Sequence, residues 1–181
     1  MVVSTATRIA TRLRYDVFET ALGWVAAVAS DQGVRRTSLP EPGPQRALDA
    51  VGPGLEGAVH DPAALAEVRD LIVRYCAGDA VDLTVVRLDL SDAPEFFRSA
   101  WEACRSIPAG ETRTYAWLAQ SAGNARAARG AGQAMARNPV PLFVPCHRVV
   151  GSDGGLHGFG GSVGLPMKRR LLDLETAERV R

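Results

Sequence analysis

A cysteine and a histidine stand side by side at positions 146 and 147, in the stretch NPVPLFVPCHRVVGSDGG, residues 138–155. Pro139, Pro141 and Pro145 stiffen the chain before them and Arg148 follows. Cysteine attacks as the thiolate, and a thiol of pKa about 8.5 is mostly protonated at neutral pH, so it needs a base or positive surroundings. His147 can serve as the base and Arg148 adds positive potential. Adjacent side chains on an extended chain point to opposite faces, so the histidine would reach the sulfur through a water. A histidine base needs a carboxylate to orient its ring and steady the imidazolium. The loop itself offers none nearer than Asp153; the other candidates are Asp173 and Glu175 in the terminal segment PMKRRLLDLE. The alternative reading of the dipeptide is a stiff, buried corner with no chemistry.

The remaining cysteines, Cys76 and Cys104, fall on the apolar faces of helical patterns and read as core. Three widely spaced cysteines imply no disulfide framework and a reducing compartment. No Cys/His cluster has metal spacing, so no metal site is expected.

Charge is distributed unevenly. Between Thr112 and Ser152 there is no acid, while Arg113, Arg126, Arg129, Arg137 and Arg148 supply five positive charges; the rest of the chain holds 16 Lys and Arg against 20 acids. A single-sign stretch attracts a polyanion; a merely solvated face mixes both signs. The same window has a helix–turn–helix outline. TRTYAWLAQSAGN reads as a short helix with Trp117, Leu118 and Ala122 inward, and Asn124 then caps ARAARGAGQAMAR, residues 125–137. A helix reduced to Ala and Gly is slim enough to press on DNA, and Arg129 is the one long cation able to reach a base stack. Gly130 and Gly132 each cost a helix about 1 kcal/mol relative to Ala, which points to close backbone approach. The alternative is packing against another helix.

Other elements must position these residues. Strands are expected around Arg14–Thr20, Gly23–Ala29 and Val34–Leu39, joined by turns in an antiparallel meander. LPEPGPQRALDAVGPG reads as a surface loop around a short helix. Residues 62–78 form a helix with Leu65, Val68, Leu71, Ile72 and Tyr75 on its apolar face and Gly78 as its stop. VDLTVVRLDL, residues 81–90, is a further strand candidate. A helix capped by Ser91 or Asp92 follows, with Phe96, Phe97, Ala100, Trp101 and Cys104 packed inward. GGLHGFGG, residues 154–161, is a glycine-rich segment that could fold over a ligand or form a plain hairpin turn. A domain boundary is expected in LDLSDAP, dividing residues 1–90 from 91–181.

PCHRVV, with RNPVPLFV and ARAARGAGQAMAR before it, FFRSAWEACRSIPAGETRTYAWLA upstream and KRRLLDLE downstream, resembles the O6-alkylguanine-DNA alkyltransferases. The resemblance covers residues 91–175; the first ninety residues match only in pattern. It implies a ribonuclease-H-like antiparallel sheet with helices, followed by a mostly helical domain containing a helix–turn–helix. It implies that Cys146 accepts the alkyl group, that His147 is the base acting through water, that Glu175 orients it and that Asn138 braces the turn. Tyr115 would help turn the nucleotide out, and Arg129 would fill the gap. Arg126, Ala128, Gly132 and Arg137 would complete the DNA surface. Pro141, Val149, Phe159 and Gly160 would hold the extruded guanine. Transfer would be stoichiometric and irreversible, without cofactor or metal. The partner would be duplex DNA carrying O6-alkylguanine, O4-alkylthymine being a further substrate. The sequence departs from the family at PAG, residues 108–110, at Gly130, and in a longer spacing from Phe159 to Lys168.

Two other readings compete: a protein that binds lesions without accepting the alkyl group, and a helix–turn–helix regulator. A cysteine hydrolase is a third. No run approaches the ~20 apolar residues of a membrane helix, and the arginine-interrupted start is not a secretory signal. A cytoplasmic monomer is expected.

Overall fold

The computed structural model describes residues 12–157 and 163–178. Strands β1 (Arg14–Thr20), β2 (Gly23–Ser30) and β3 (Gly33–Thr37) form the expected meander. A short β4 (Val59–His60) adds to β1 in parallel, so the sheet runs β3-β2-β1-β4 and is mixed rather than purely antiparallel. Alternate residues of β2 serve two cores. Ala26 and Val28 pack with Ala47 and Val51 of α1 (Pro44–Val51), while Val25 and Ala27 face the main cluster. That cluster runs without a break from Phe18 in the sheet to Cys146 and Leu171.

Helix α2 (Ala66–Ala77) ends at Gly78, whose positive φ of 88° closes it. Residues 81–90 form no strand. The Asp82 carboxylate accepts from the Thr84 amide at 2.8 Å and the Thr84 hydroxyl at 2.6 Å, curling the chain into a 3-10 turn at Leu83–Val85; one isolated bridge, Leu88 to Val34, is all that remains of pairing. Helix α3 (Glu95–Arg105) starts later than expected, with Pro94 at its cap position, because Ser91 and Asp92 are engaged elsewhere. Ser91 donates to Asp89, and Asp92 pairs with Arg35 of β3. Cys104 and Cys76 are buried, as core residues should be.

Thr114 in β5 (Arg113–Thr114) caps α4 (Tyr115–Ser121) by accepting from the Trp117 amide at 3.1 Å. Leu118 points inward; Trp117 and Ala122 are only half-buried. Helix α5 (Ala128–Ala136) begins three residues after the expected start, since the Asn124 carboxamide closes a turn on the Arg126 amide instead of capping the helix. Gly130 packs α5 onto α3: a Cβ there would lie 3.2 Å from the Phe96 ring. The small residue at 130 therefore serves helix–helix contact, and a Cβ at Gly132 would meet only Tyr115, at 3.9 Å. A buried bond from the Trp101 indole to the Ala134 carbonyl, 2.8 Å, ties the same helices. β6 (Val149–Val150) pairs in parallel with β5, and α6 (Gly164–Glu178) closes the fold.

Candidate active site

Cys146 and His147 lie on a 3-10 turn, Cys146–Arg148, and not on extended chain. The turn before them is braced from two sides. Asn138 donates its amide to the Val144 carbonyl at 2.8 Å and accepts from the Val140 amide at 3.0 Å. From the sheet, the Thr37 amide donates to the Pro139 carbonyl at 2.9 Å and its hydroxyl to the Pro141 carbonyl at 2.8 Å. Between these anchors Leu142 takes a φ of 75°, a left-handed conformation that a leucine adopts only when its surroundings impose it. Pro141 is thus a buried part of the brace.

Cys146 sits at the edge of the core, 8% exposed. Burial pushes its pKa up, and a hydrogen bond from Asn138 and the nearby Lys168 ammonium pull the other way. The resting thiol is protonated and must hand over its proton to react.

His147, the next residue, is the candidate base. Its Nε2 lies 2.8 Å from Glu175 Oε1, both residues 1% exposed. A carboxylate only accepts, so Nε2 carries the proton and Nδ1 holds the lone pair. Nδ1 is buried and has no hydrogen-bond partner among the described residues. Burial lowers the pKa of His147, outweighing the pull of Glu175, which favours the neutral ring with its Nδ1 lone pair unprotonated. Glu175 works against its own burial: His147 and Arg148 together hold its carboxyl well below the usual range.

Arg148 contributes differently from the sequence expectation. It is buried, forks onto Glu175 through Nε at 3.0–3.1 Å and Nη2 at 2.7 Å, and donates to the Ile107 carbonyl at 2.6 Å. Its charge is spent inside the protein rather than offered to a polyanion. The Gly110 amide completes the carboxylate's shell at 3.0 Å from Oε2, and the φ of 72° at Gly110 is one that glycine adopts without strain.

Of the three candidate acids, only Glu175 reaches His147. Asp153 pairs with His157 at the surface and Asp173 is exposed. Helix α6 explains the choice: Lys168, Leu171 and Glu175 recur at i, i+3 and i+7 on its buried face. Lys168, which residue types alone did not single out, is fully buried and donates to the carbonyls of Val149 at 2.6 Å and His157 at 3.3 Å. It fastens together two segments that follow the thiol turn. A second residue missed from sequence is Tyr75. Its place on an apolar helix face was correct, but its hydroxyl donates to Glu175 Oε1 at 2.7 Å.

Tyr115, at the start of α4, donates to the His157 carbonyl at 3.2 Å. Val149 is buried beside the turn. Arg126, Arg129 and Arg137 are exposed and Ala128 is half-buried; Arg137 also lies 5.8 Å over the Phe97 ring. Arg113 pairs with Glu111 at 2.8 Å. With Arg148 buried, the window's exposed cations that pair with no carboxylate among the described residues are Arg126, Arg129 and Arg137. Phe159 and Gly160 lie outside the described residues. Among the described residues no group of three or more metal-ligating side chains comes together, and no helix is long and apolar enough to cross a membrane.

Comparison with known proteins bears on this geometry. Residues 95–177 match the family model for the 6-O-methylguanine DNA methyltransferase DNA binding domain. A methylated-DNA–protein-cysteine methyltransferase of Mycolicibacterium paratuberculosis is 42% identical over 123 residues, covering 68% of this chain and 72% of the relative. One from Methanosarcina acetivorans is 32% identical over 164 residues, covering 89% and 97%. The crystal structure of Mycobacterium tuberculosis O6-methylguanine methyltransferase is similar with a TM-score of 0.76 at 31% identity, covering 92% of this chain and 94% of that one. A structure of the M. tuberculosis OGT in complex with DNA is similar to the same degree, TM-score 0.76 at 31% identity, with 91% and 94% covered. Similarity of this extent, running through the thiol turn and its acid, settles the family: the chain belongs to the methylated-DNA–protein-cysteine methyltransferases.

Proposed function

We propose that this protein repairs DNA directly, moving the alkyl group of O6-alkylguanine in a duplex onto its own Cys146, once per molecule. The observation that carries the reading is the buried His147–Glu175 pair next in sequence to Cys146: the carboxylate holds Nε2–H, and Nδ1 has no hydrogen-bond partner among the described residues, which leaves its lone pair to serve as the base.

His147 takes the thiol proton, directly or through a water. The thiolate attacks the alkyl carbon in line with the C–O bond; the C–S bond forms as the C–O bond breaks. Guanine leaves with the electron pair and then takes up a proton, restoring the normal base. The thioether has no hydrolytic exit, so the protein is consumed and no cofactor is needed. O4-alkylthymine presents the same alkyl–oxygen bond and is a second substrate.

A base inside a duplex is out of reach of a core-edge thiol, so the nucleotide must be extruded. Arg129, Ala128 and Gly132 of α5, with Arg126 before it and Arg137 just after it, form the DNA-facing side, in a helix–turn–helix made by α4 and α5. A helix of small residues can enter the minor groove, Arg129 fills the vacated stack and Tyr115 crowds the backbone. Pro141, Val149, Phe159 and Gly160 surround the extruded guanine, and Asn138 keeps the turn in shape. The division into residues 1–90, a ribonuclease-H-like unit, and 91–181, the transfer unit, belongs to this reading, as does a monomer acting in the cytoplasm.

Incubation with an O6-methylguanine duplex should add one methyl to Cys146, one per protein, seen by mass spectrometry of the intact chain and its peptides. Cys146→Ala should abolish transfer and keep lesion binding. Arg129→Ala should slow repair of the duplex far more than reaction with the free base. An unmodified protein that binds the lesion, or one that turns over repeatedly, would refute the reading.

A further inference from the structure

We propose that Tyr75, carried by α2 in the N-terminal half, is a positioning residue for alkyl transfer: its buried hydroxyl holds Glu175 in the orientation that keeps the proton on His147 Nε2 and leaves Nδ1 as the base. The inference rests on the reading above and adds to it a residue outside the 95–177 segment matched by the family model.

Three observations carry it. The Tyr75 hydroxyl donates to Glu175 Oε1 at 2.7 Å and lies 3.3 Å from His147 Nε2, so it touches both members of the pair at once. The side chain is buried, and packing alone would be served as well by phenylalanine; a buried hydroxyl needs a partner, and this one's partner is the catalytic carboxylate. Third, Oε1, the oxygen that meets His147, accepts from the Tyr75 hydroxyl as well as from Arg148 Nε and Nη2, while Oε2 accepts from Arg148 Nε and the Gly110 amide, so the phenol belongs to the shell of the one oxygen that orients the imidazole.

The charged and titratable groups around His147 are Glu175, Arg148, Lys168 and Tyr75 itself. Burial first, and then the negative Glu175, push the phenol far above its ordinary range, so it is an O–H donor at every working pH. A donor on Oε1 spreads the carboxylate's charge and tempers its pull on the imidazole proton. Removing it makes Oε1 a stronger acceptor, stabilises the imidazolium, and moves protonation of the base to higher pH.

The test compares wild type, Tyr75→Phe and a protein with 3-fluorotyrosine at position 75, using an O6-methylguanine duplex and single-turnover rates from pH 5 to 9. Tyr75→Phe should transfer about tenfold more slowly, the scale of losing a partner that orients a functional histidine, with its pH–rate inflection moved up. Fluorotyrosine keeps the ring and donates more strongly, so it should restore most of the rate and move the inflection down. A Tyr75→Phe protein that melts earlier but transfers at the wild-type rate, with the wild-type inflection, overturns the inference and leaves a structural role. Should Tyr75→Phe fail to fold, an unmoved inflection in the fluorotyrosine protein overturns it equally. Wild type that takes up no methyl overturns the proposed function and this inference together; wild-type transfer with unresponsive variants overturns the inference alone.

Discussion

His147 meets Glu175 at 2.8 Å, and His157 meets Asp153 at 3.1 Å, two histidine–carboxylate pairs whose histidines are a short stretch of chain apart. The first pair has side chains 1% and 0% exposed; the second, 61% and 66%. Distance alone makes them equivalents. In the interior the imidazole cannot be solvated as a cation, so it stays neutral, and its carboxylate must be satisfied by Arg148, Tyr75 and Gly110 or pay a heavy desolvation cost. At the surface, water screens both partners and the pair merely decorates a turn that the Asp153 carboxylate closes on the Gly155 amide at 2.9 Å. The contrast shows that burial, and the donors that burial obliges, turn a His–acid contact into a device that decides where a proton sits.

Glu175→Gln attacks the buried member and should have the largest effect. It keeps the shape but strips the charge from Arg148 and disorders the base. Breaking a buried pair on one side costs about 3–5 kcal/mol, so differential scanning calorimetry should show Tm lowered by roughly 10 °C for a chain of this size. Transfer should fall at least about 100-fold, the usual contribution of a positioned base. The pH dependence sharpens the point. Glu175 has a depressed pKa in the folded state, so its stabilisation is present above the unfolded value of about 4.3 and fades as pH falls below it. The folded His147 also resists protonation, so the unfolded chain binds the extra proton and stability begins to decline below about pH 6.5. Wild type should therefore lose its advantage over Glu175→Gln as chemical denaturation is carried from pH 7 to pH 3. An advantage that is constant across that range contradicts the assignment of charge.

How far the sequence discloses this arrangement varies with the kind of information each feature needs. The meander, α2 and α3 are written in local periodicity and form there, although both helices start a few residues later than the pattern suggests. Residues 81–90 carry the same strand-like alternation, yet Asp82 and Thr84 form a side-chain turn that outcompetes pairing. The thiol and its histidine are adjacent and plain to see, whereas the acid is 28 residues from His147. Residue types left Asp153, Asp173 and Glu175 level, and only the family resemblance chose among them. The i, i+3, i+7 recurrence of Lys168, Leu171 and Glu175 on α6 is a signal that could have done so from physics. Tyr75 was legible as an apolar helix position and illegible as a hydroxyl donor, because a pattern of burial says nothing of what the polar tip will meet a hundred residues away. Arg148 shows the reverse error: counted with the exposed cations from its neighbours' charge, it is internal.

Asn138→Ala tests whether the brace belongs with the buried pair. The Val140 amide would lose its partner inside the turn, a cost of about 1–3 kcal/mol for a group left unsatisfied, while the Val144 carbonyl would keep only the Cys146 amide at 2.8 Å. The thiol would also lose a hydrogen bond that counters burial, so its pKa should rise further. Transfer should slow most at neutral pH and recover partly as pH is raised, a profile measurable with the same duplex assay. A uniform loss at every pH would mean that Asn138 supports the turn without acting on the sulfur.

Asp153→Asn is the smallest perturbation and the strictest control on the comparison. It removes the charge from the exposed pair while keeping an oxygen able to accept from the Gly155 amide, so the 151–155 turn stays closed. The carboxyl of Asp153 is held below its ordinary value first by that amide and then by His157, but both partners are bathed in water and neither touches the thiol turn. The His157 backbone is what the site uses, through its carbonyl, which accepts from Lys168 and Tyr115, and that carbonyl is indifferent to the charge at 153. Melting temperature and transfer rate should match wild type in low and high salt alike. A salt-dependent fall in rate would mean that charge at the surface pair is transmitted to the thiol through the segment Lys168 fastens, and the separation drawn between a working pair and a decorative one would not hold.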